Sequence, residues 1–169
     1  GIGALYVRRR NPRVRLAPQI QGGGHERGMR SGTLATPQIV GFAKAIELGL
    51  EELESESARQ IELRNLLWSQ LSQLEGVYLN GHLTRRLHGN LNVSIEGVDG
   101  SALLLGLQSV VAISSGSACS SAGTSPSHVI TALRSSECLV YASLRFGIGR
   151  FNTAEEIDIA AKSAIATIQ

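Results

Sequence analysis

Lysine is nearly missing from this 169-residue chain: Lys44 and Lys162 are the only two, and the other basic residues are arginines. Cysteine is as scarce, with only Cys119 and Cys138. Two cysteines in a chain of this size make neither a disulfide framework nor a zinc site, so free thiols in a reducing compartment are expected. No apolar run approaches the ~20 residues that a membrane-spanning helix needs, and no membrane partner is expected. The opening Gly1-Ile2-Gly3-Ala4-Leu5-Tyr6-Val7 is too short, and has no basic region before it, to read as a signal peptide. An initiator methionine is also lacking, which predicts a start further upstream.

What is present places the chain among soluble globular proteins: 43% of residues are apolar and 18% charged. The length suffices for one domain with a core, or one domain plus a piece of a second. The net charge is only +2, yet Arg8, Arg9, Arg10, Arg13 and Arg15 fall together. Such a run suits nucleic acid, or else a solvated loop or an interface. No aromatics interleave with it and the rest of the chain is not basic, so the second reading is preferred and no nucleic-acid partner is expected.

Along the chain, Ala4-Leu5-Tyr6-Val7 reads as a strand end closed by the arginines. Gln21 to Thr33 is a glycine-rich loop, where backbone bends tightly or approaches a ligand. Thr36-Pro37 opens a helix, with Thr36 as cap and Pro37 in the first turn. Apolar residues then recur at helical spacing from Ile39 to Leu71, with room for a break, until Glu75-Gly76. A compact α/β unit follows. Val77–Leu79, Leu91–Ile95, Val110–Ile113 and Ala142–Ile148 read as strands, Ser101–Leu107 and Pro126–Leu133 as helices, and 82–89 as a loop. Thr153 caps a last helix whose apolar stripe is Ile157, Ala160, Ala161, Ala164 and Ile168, and Glu155 and Glu156 suit its positive end.

Few residues carry chemistry. Cys119 lies in a stretch made almost wholly of Ser, Gly, Ala and Thr, with little to bury. That composition predicts an exposed, mobile loop and an accessible nucleophilic thiol, and a small buried cysteine beside a strand is the alternative. Cys138 reads as a structural or incidental thiol. The glycine-rich loop and Thr33 precede a helix N-terminus, a place that suits a phosphate, although by itself the signal is weak. His25 is a loop histidine with no partner nominated, and His82, His88 and His128 have no metal-type spacing. Arg145 lies between apolar neighbours in a strand and so calls for an anion, either a substrate carboxylate gripped bidentately or a structural salt bridge.

Four stretches occur in one register: Gly1–Val7, Gly22–Thr33, Ser114–Cys119 and Ser143–Phe151. Together they resemble the cysteine desulfurases of the NifS/IscS type, in the class-V aminotransferase family of fold-type I pyridoxal-phosphate enzymes. The resemblance covers essentially the whole chain. It implies an α/β fold, with residues 1–36 the end of the large cofactor domain, 37–75 a long linking helix and 76–169 the small α/β domain. It implies removal of sulfur from L-cysteine, giving L-alanine and a persulfide on Cys119, for iron–sulfur cluster assembly and other acceptors. Arg145 matches the arginine that holds the substrate carboxylate. Thr33 matches the threonine that reaches the cofactor phosphate of the other subunit in a homodimer.

The resemblance also implies that the lysine carrying the pyridoxal phosphate lies before Gly1, together with the histidine and aspartate that contact its ring. Family chains run on past Gln169. This chain is therefore expected to be a C-terminal part that is inactive alone, located in a bacterial cytoplasm or an organelle such as the mitochondrion. Two other readings remain. One is a non-catalytic assembly piece in which the loop and arginines make dimer contacts. The other is a simple sulfur carrier or thiol hydrolase, for which no histidine is convincingly nominated.

Overall fold

The structure is a computed structural model that describes residues 1–114, 127–133 and 136–169. These form two compact units, Gly1–Leu53 and Glu54–Gln169.

The first unit holds one short 3-10 turn, Glu26–Gly28, and one helix, α1 (Thr36–Glu51). It contains no buried residue. The strand expected at Ala4–Val7 is absent, and Leu5 and Tyr6 are 76% and 85% exposed. A strand exists only when another strand takes up its N–H and C=O groups, and no described residue of this unit does so. Thr36 does not cap α1. The N-cap is Ala35, which offers no side-chain acceptor, and Thr36 and Pro37 are already helical. The helical stretch that follows is two helices, because α1 closes at Glu51 and α2 (Leu53–Leu71) begins after Glu52. Gly49 weakens the last turn of α1, and the break puts Glu54 and Glu56 in the first turn of α2, where the helix dipole favours carboxylates.

The second unit is built on a three-stranded antiparallel sheet in the order β1 (Val77–Leu79), β2 (Asn90–Ile95), β3 (Ser143–Gly147). Its remaining helices are α3 (Gly100–Leu107), α4 (His128–Leu133), α5 (Glu137–Tyr141) and α6 (Ala154–Ile168). Alternation along the strands sends Leu91, Val93, Ile95, Leu144 and Phe146 to one face. There they pack with Leu63, Leu67 and Leu71 of α2, Leu103 and Leu107 of α3, and Ile157, Ala161 and Ala164 of α6. Each fully buried leucine in this cluster contributes about 1.5–3 kcal/mol relative to exposure.

Helix ends are set locally. Asp99 caps α3 by accepting from the Ala102 N–H at 2.7 Å. Thr153 caps α6 in a reciprocal box with Glu156, as its sequence foretells. The expected strand Val110–Ile113 does not form; only the next residue, Ser114, pairs, in an isolated bridge to Arg145. α5 has no signature in the sequence beyond the short apolar run Leu139-Val140, which a strand would explain as well.

The loop 80–89 between β1 and β2 is held by two arginines. Arg86 donates to the carbonyls of Asn80 (2.6 Å) and His82 (2.7 Å), and buried Arg64 donates from α2 to the carbonyl of His88 (3.4 Å). Burial, and then the nearby Arg64 charge, lower the Arg86 pKa below the usual guanidinium value. Gly89 closes this loop against Ile148, whose N–H donates to the Gly89 carbonyl at 2.7 Å.

Candidate functional site

The sheet face opposite the core is polar. Asn92, Ser94, Ser143 and Arg145 alternate onto it, and the register sets Asn92 against Arg145 and Ser94 against Ser143. Asn80 extends β1 past Leu79, its N–H donating to the Asn92 carbonyl at 2.9 Å. The Asn80 side chain is 4% exposed, and its amide nitrogen donates to Asn92 Oδ1 at 2.6 Å and to Ser94 Oγ at 2.8 Å.

Arg145 sits at the open edge of this row. The sequence predicts a guanidinium enclosed by apolar neighbours. Instead Arg145 is exposed, because its neighbours Leu144 and Phe146 point to the other face. The reading as a structural salt bridge fails among the described residues, where no carboxylate pairs with it. The Arg145 N–H donates to the Ser114 carbonyl at 2.8 Å. Ser114 is the last described residue before the segment that carries Cys119, and Cys119 lies outside the described residues. The strand of Arg145 and the root of the segment that carries Cys119 are thus joined by a backbone hydrogen bond.

Thr33 belongs to the first unit and follows the glycine-rich loop. In that loop the Gly32 N–H donates to His25 Nδ1 at 3.3 Å, and the Gly24 N–H donates to Ser31 Oγ at 3.3 Å. His25 therefore holds the loop shut. Gly32 has φ +123°, a conformation that side chains other than hydrogen rarely adopt, and it delivers Thr33 to the approach of α1. Thr33 is exposed, α1 has no side-chain cap, and its first turn carries no acid. A hydroxyl beside an uncapped, uncompensated helix N-terminus has the donor chemistry of a phosphate site.

Neither lysine is placed to hold a cofactor aldehyde. Lys44 pairs with Glu47 at 2.8 Å, and Lys162 pairs with Asp158, both on ordinary exposed helix surfaces. Cys138 is a free, exposed thiol on α5. His82 is taken up in its own turn, its Nδ1 accepting from the Thr84 and Arg85 N–H groups. Among the described residues no cluster of histidine, cysteine or carboxylates suits a metal, and no helix is long and apolar enough to cross a membrane. Sequence reasoning missed Asn80 and Asn92. The alternation Asn90-Leu91-Asn92-Val93-Ser94-Ile95 marks the polar face, but only the register puts Asn92 beside Arg145.

The sequence profile of the Aminotransferase class-V family matches residues 1–159. The cysteine desulfurase IscS of Aeromonas hydrophila is 54% identical over 162 residues, which are 96% of this chain and 40% of that protein. The cysteine desulfurase IscS of Pseudomonas aeruginosa is 52% identical over 168 residues, 99% of this chain and 41% of that protein. Among solved structures, a NifS-like protein from Rickettsia africae superposes with a TM-score of 0.81 at 25% identity, over 91% of this chain and 40% of that one. A second NifS-like protein gives 0.78 at 32% identity, over 91% of this chain and 39% of the other.

The chain belongs to the aminotransferase class-V family, which is pyridoxal-phosphate-dependent. The resemblance to the NifS/IscS branch and the mixed α/β fold of a fold-type I enzyme are both borne out. The chain spans about two fifths of the length of the curated relatives it matches.

Proposed function

We propose that this chain serves in a pyridoxal-phosphate-dependent cysteine desulfurase, in which Cys119 accepts the sulfur of L-cysteine. The observation that carries this reading is the Ser114–Arg145 bridge. It roots the Cys119 segment on the strand of an exposed arginine that has no carboxylate partner among the described residues. Cys119 stands five positions after Ser114, and a chain reaches at most about 3.5 Å per residue, so its backbone lies within roughly 17 Å of that root.

Arg145 holds the substrate carboxylate through paired N–H donors. Thr33 donates its hydroxyl to the cofactor phosphate in the partner subunit of a homodimer. Pyridoxal phosphate, when bound, supplies the electron sink for the substrate carbon. The Cys119 thiol, as its thiolate, forms the new S–S bond while the Cβ–S bond of the substrate breaks. The carbon gains a proton and leaves as L-alanine, and the enzyme keeps a persulfide. Cysteine and the thiol of Cys119 together contain every atom of alanine and the persulfide, so no outside oxidant is needed.

With Lys44 and Lys162 both ion-paired, the lysine that carries the cofactor comes from sequence outside these 169 residues, and this chain alone does not turn over cysteine. The persulfide then passes to an acceptor such as an iron–sulfur scaffold protein, in a reducing cytoplasm or organelle.

The test is intact mass of the full-length protein after L-cysteine and pyridoxal phosphate. A sulfur adduct and stoichiometric alanine are expected, with the adduct lost in Cys119→Ser. An adduct that survives in Cys119→Ser and disappears in Cys138→Ser sinks the assignment.

A further inference from the structure

We infer that Asn92, oriented by buried Asn80, is a second donor to the substrate carboxylate held by Arg145. This rests on the reading of Arg145 as the carboxylate anchor. Asn92 lies on the central strand β2, with Asn80 on its β1 side and Arg145 directly across on its β3 side. Residues facing each other across antiparallel strands have Cβ atoms roughly 4.5–5.5 Å apart.

The Asn80 side chain fixes which way the Asn92 amide points. Asn80 has only donors on its nitrogen, and that nitrogen engages Asn92 Oδ1 at 2.6 Å. The Asn92 oxygen is thereby held on the β1 side, and its Nδ2 is left as the group free to donate elsewhere. Asn80 itself cannot swing away: it is 4% exposed, its nitrogen also donates to the fully buried Ser94 hydroxyl, and its carbonyl accepts from Arg86 at 2.6 Å.

Two consequences follow from the donor inventory. Arg145 has five N–H donors and no acceptor, and the free end of Asn92 is also donor only. The Asn92 oxygen is engaged from the β1 side by Asn80, and among the described residues Arg145 makes no bond to it. Among the described residues neither group has an acceptor for these hydrogens. Two donor-only groups side by side, Arg145 exposed and Asn92 half-buried, are jointly satisfied by one species with several lone pairs and a negative charge. A carboxylate has two oxygens and about four lone-pair sites, enough for a bidentate arginine and one amide.

The test uses the full-length cofactor-loaded enzyme and 3-mercaptopropionate, which has the thiol and carboxylate of cysteine but no amine. Calorimetric affinity is measured for wild type, Asn92→Ala, Asn92→Asp and Arg145→Gln. A hydrogen bond to a charged group predicts roughly tenfold or greater weakening in Asn92→Ala. It also predicts a larger loss in Asn92→Asp, where an acceptor replaces the donor and claims Arg145. The KM for cysteine rises with them, and kcat changes little. Unchanged affinity in Asn92→Ala, with weakening in Arg145→Gln, overturns the role of Asn92 and leaves the anchor standing. Unchanged affinity in Arg145→Gln removes the anchor, and the inference with it. Asn92→Asp keeps the size and shape of the side chain, so unchanged affinity in that variant overturns the inference even where the alanine variant fails to fold.

Discussion

Arg145 and Gly89 show how much one residue depends on what stands across from it. Arg145 is a lone cation in an apolar run until the strand is laid down. It then becomes an exposed donor set beside Asn92. Gly89 carries no signal in the sequence, being one glycine of 19. In the fold a Cβ at this position would stand 2.1 Å from the Ile148 carbonyl oxygen. That oxygen is backbone and cannot step aside without parting the ends of β2 and β3. Gly89→Ala is therefore expected to destabilise the protein by about 1–3 kcal/mol, the usual cost of overpacking. The denaturant midpoint reads this directly, and an unchanged midpoint counts against the tight contact.

At the scale of elements, α6 is the best specified piece of the molecule. Its start is written twice, once in the Thr153–Glu156 box and once in the turn before it. In that turn Gly149 N–H donates to Asn152 Oδ1 at 2.8 Å, and Arg59 of α2 donates to the Asn152 carbonyl at 2.6 Å. Thr153→Ala is expected to cost about 1 kcal/mol in thermal or denaturant unfolding, the typical value of a lost N-cap. The Glu156 pKa lies below the ordinary value because the Asn152 amide, and then the Thr153 backbone N–H, donate to the carboxylate. A depressed folded pKa means that the folded state binds fewer protons. The stabilisation is thus present above the unfolded value of about 4.3 and is lost as pH falls through the lower folded value. Glu156→Gln keeps an oxygen acceptor but does not titrate, so its stability is expected to fall less steeply below that range. Identical acid limbs for the two proteins would show that this contact carries no pH dependence. The expected strand at Gly1–Val7 marks the opposite case: its apolar residues are in place, but no strand partner is.

At the scale of the whole molecule, the two units differ in kind. Residues 54–169 enclose a continuous core of leucine, valine, isoleucine, alanine and Phe146 from β2, β3 and three helices, with Val77 and Leu79 of β1 packed against it. Residues 1–53 bury nothing and leave Val40 and Leu50 of α1 62% and 69% exposed. An amphipathic helix without a covered face has little tertiary packing to hold it. Limited proteolysis of the 169-residue chain is therefore expected to cut first within 1–53 and to leave a resistant piece close to 54–169. Initial cleavage within β2 or α6 would contradict this division.

The sequence by itself determined the helices with clear periodicity and caps and the strands β1 and β2, and it nominated Cys119, Arg145 and Thr33 as candidates for chemistry. These are legible because capping, alternation and small-residue loops are properties of neighbouring residues. Motif order likewise pointed to the family before any contact was seen. Only the tertiary structure decided that Arg145 faces solvent, that Val110–Ile113 stays unpaired while Ser114 bridges to Arg145, and that Asn92 stands between Asn80 and Arg145. Each of these depends on strand register between residues far apart in the chain. A shift of one residue would send every side chain of the strand to the other face, and no local pattern fixes that choice until the core closes on it.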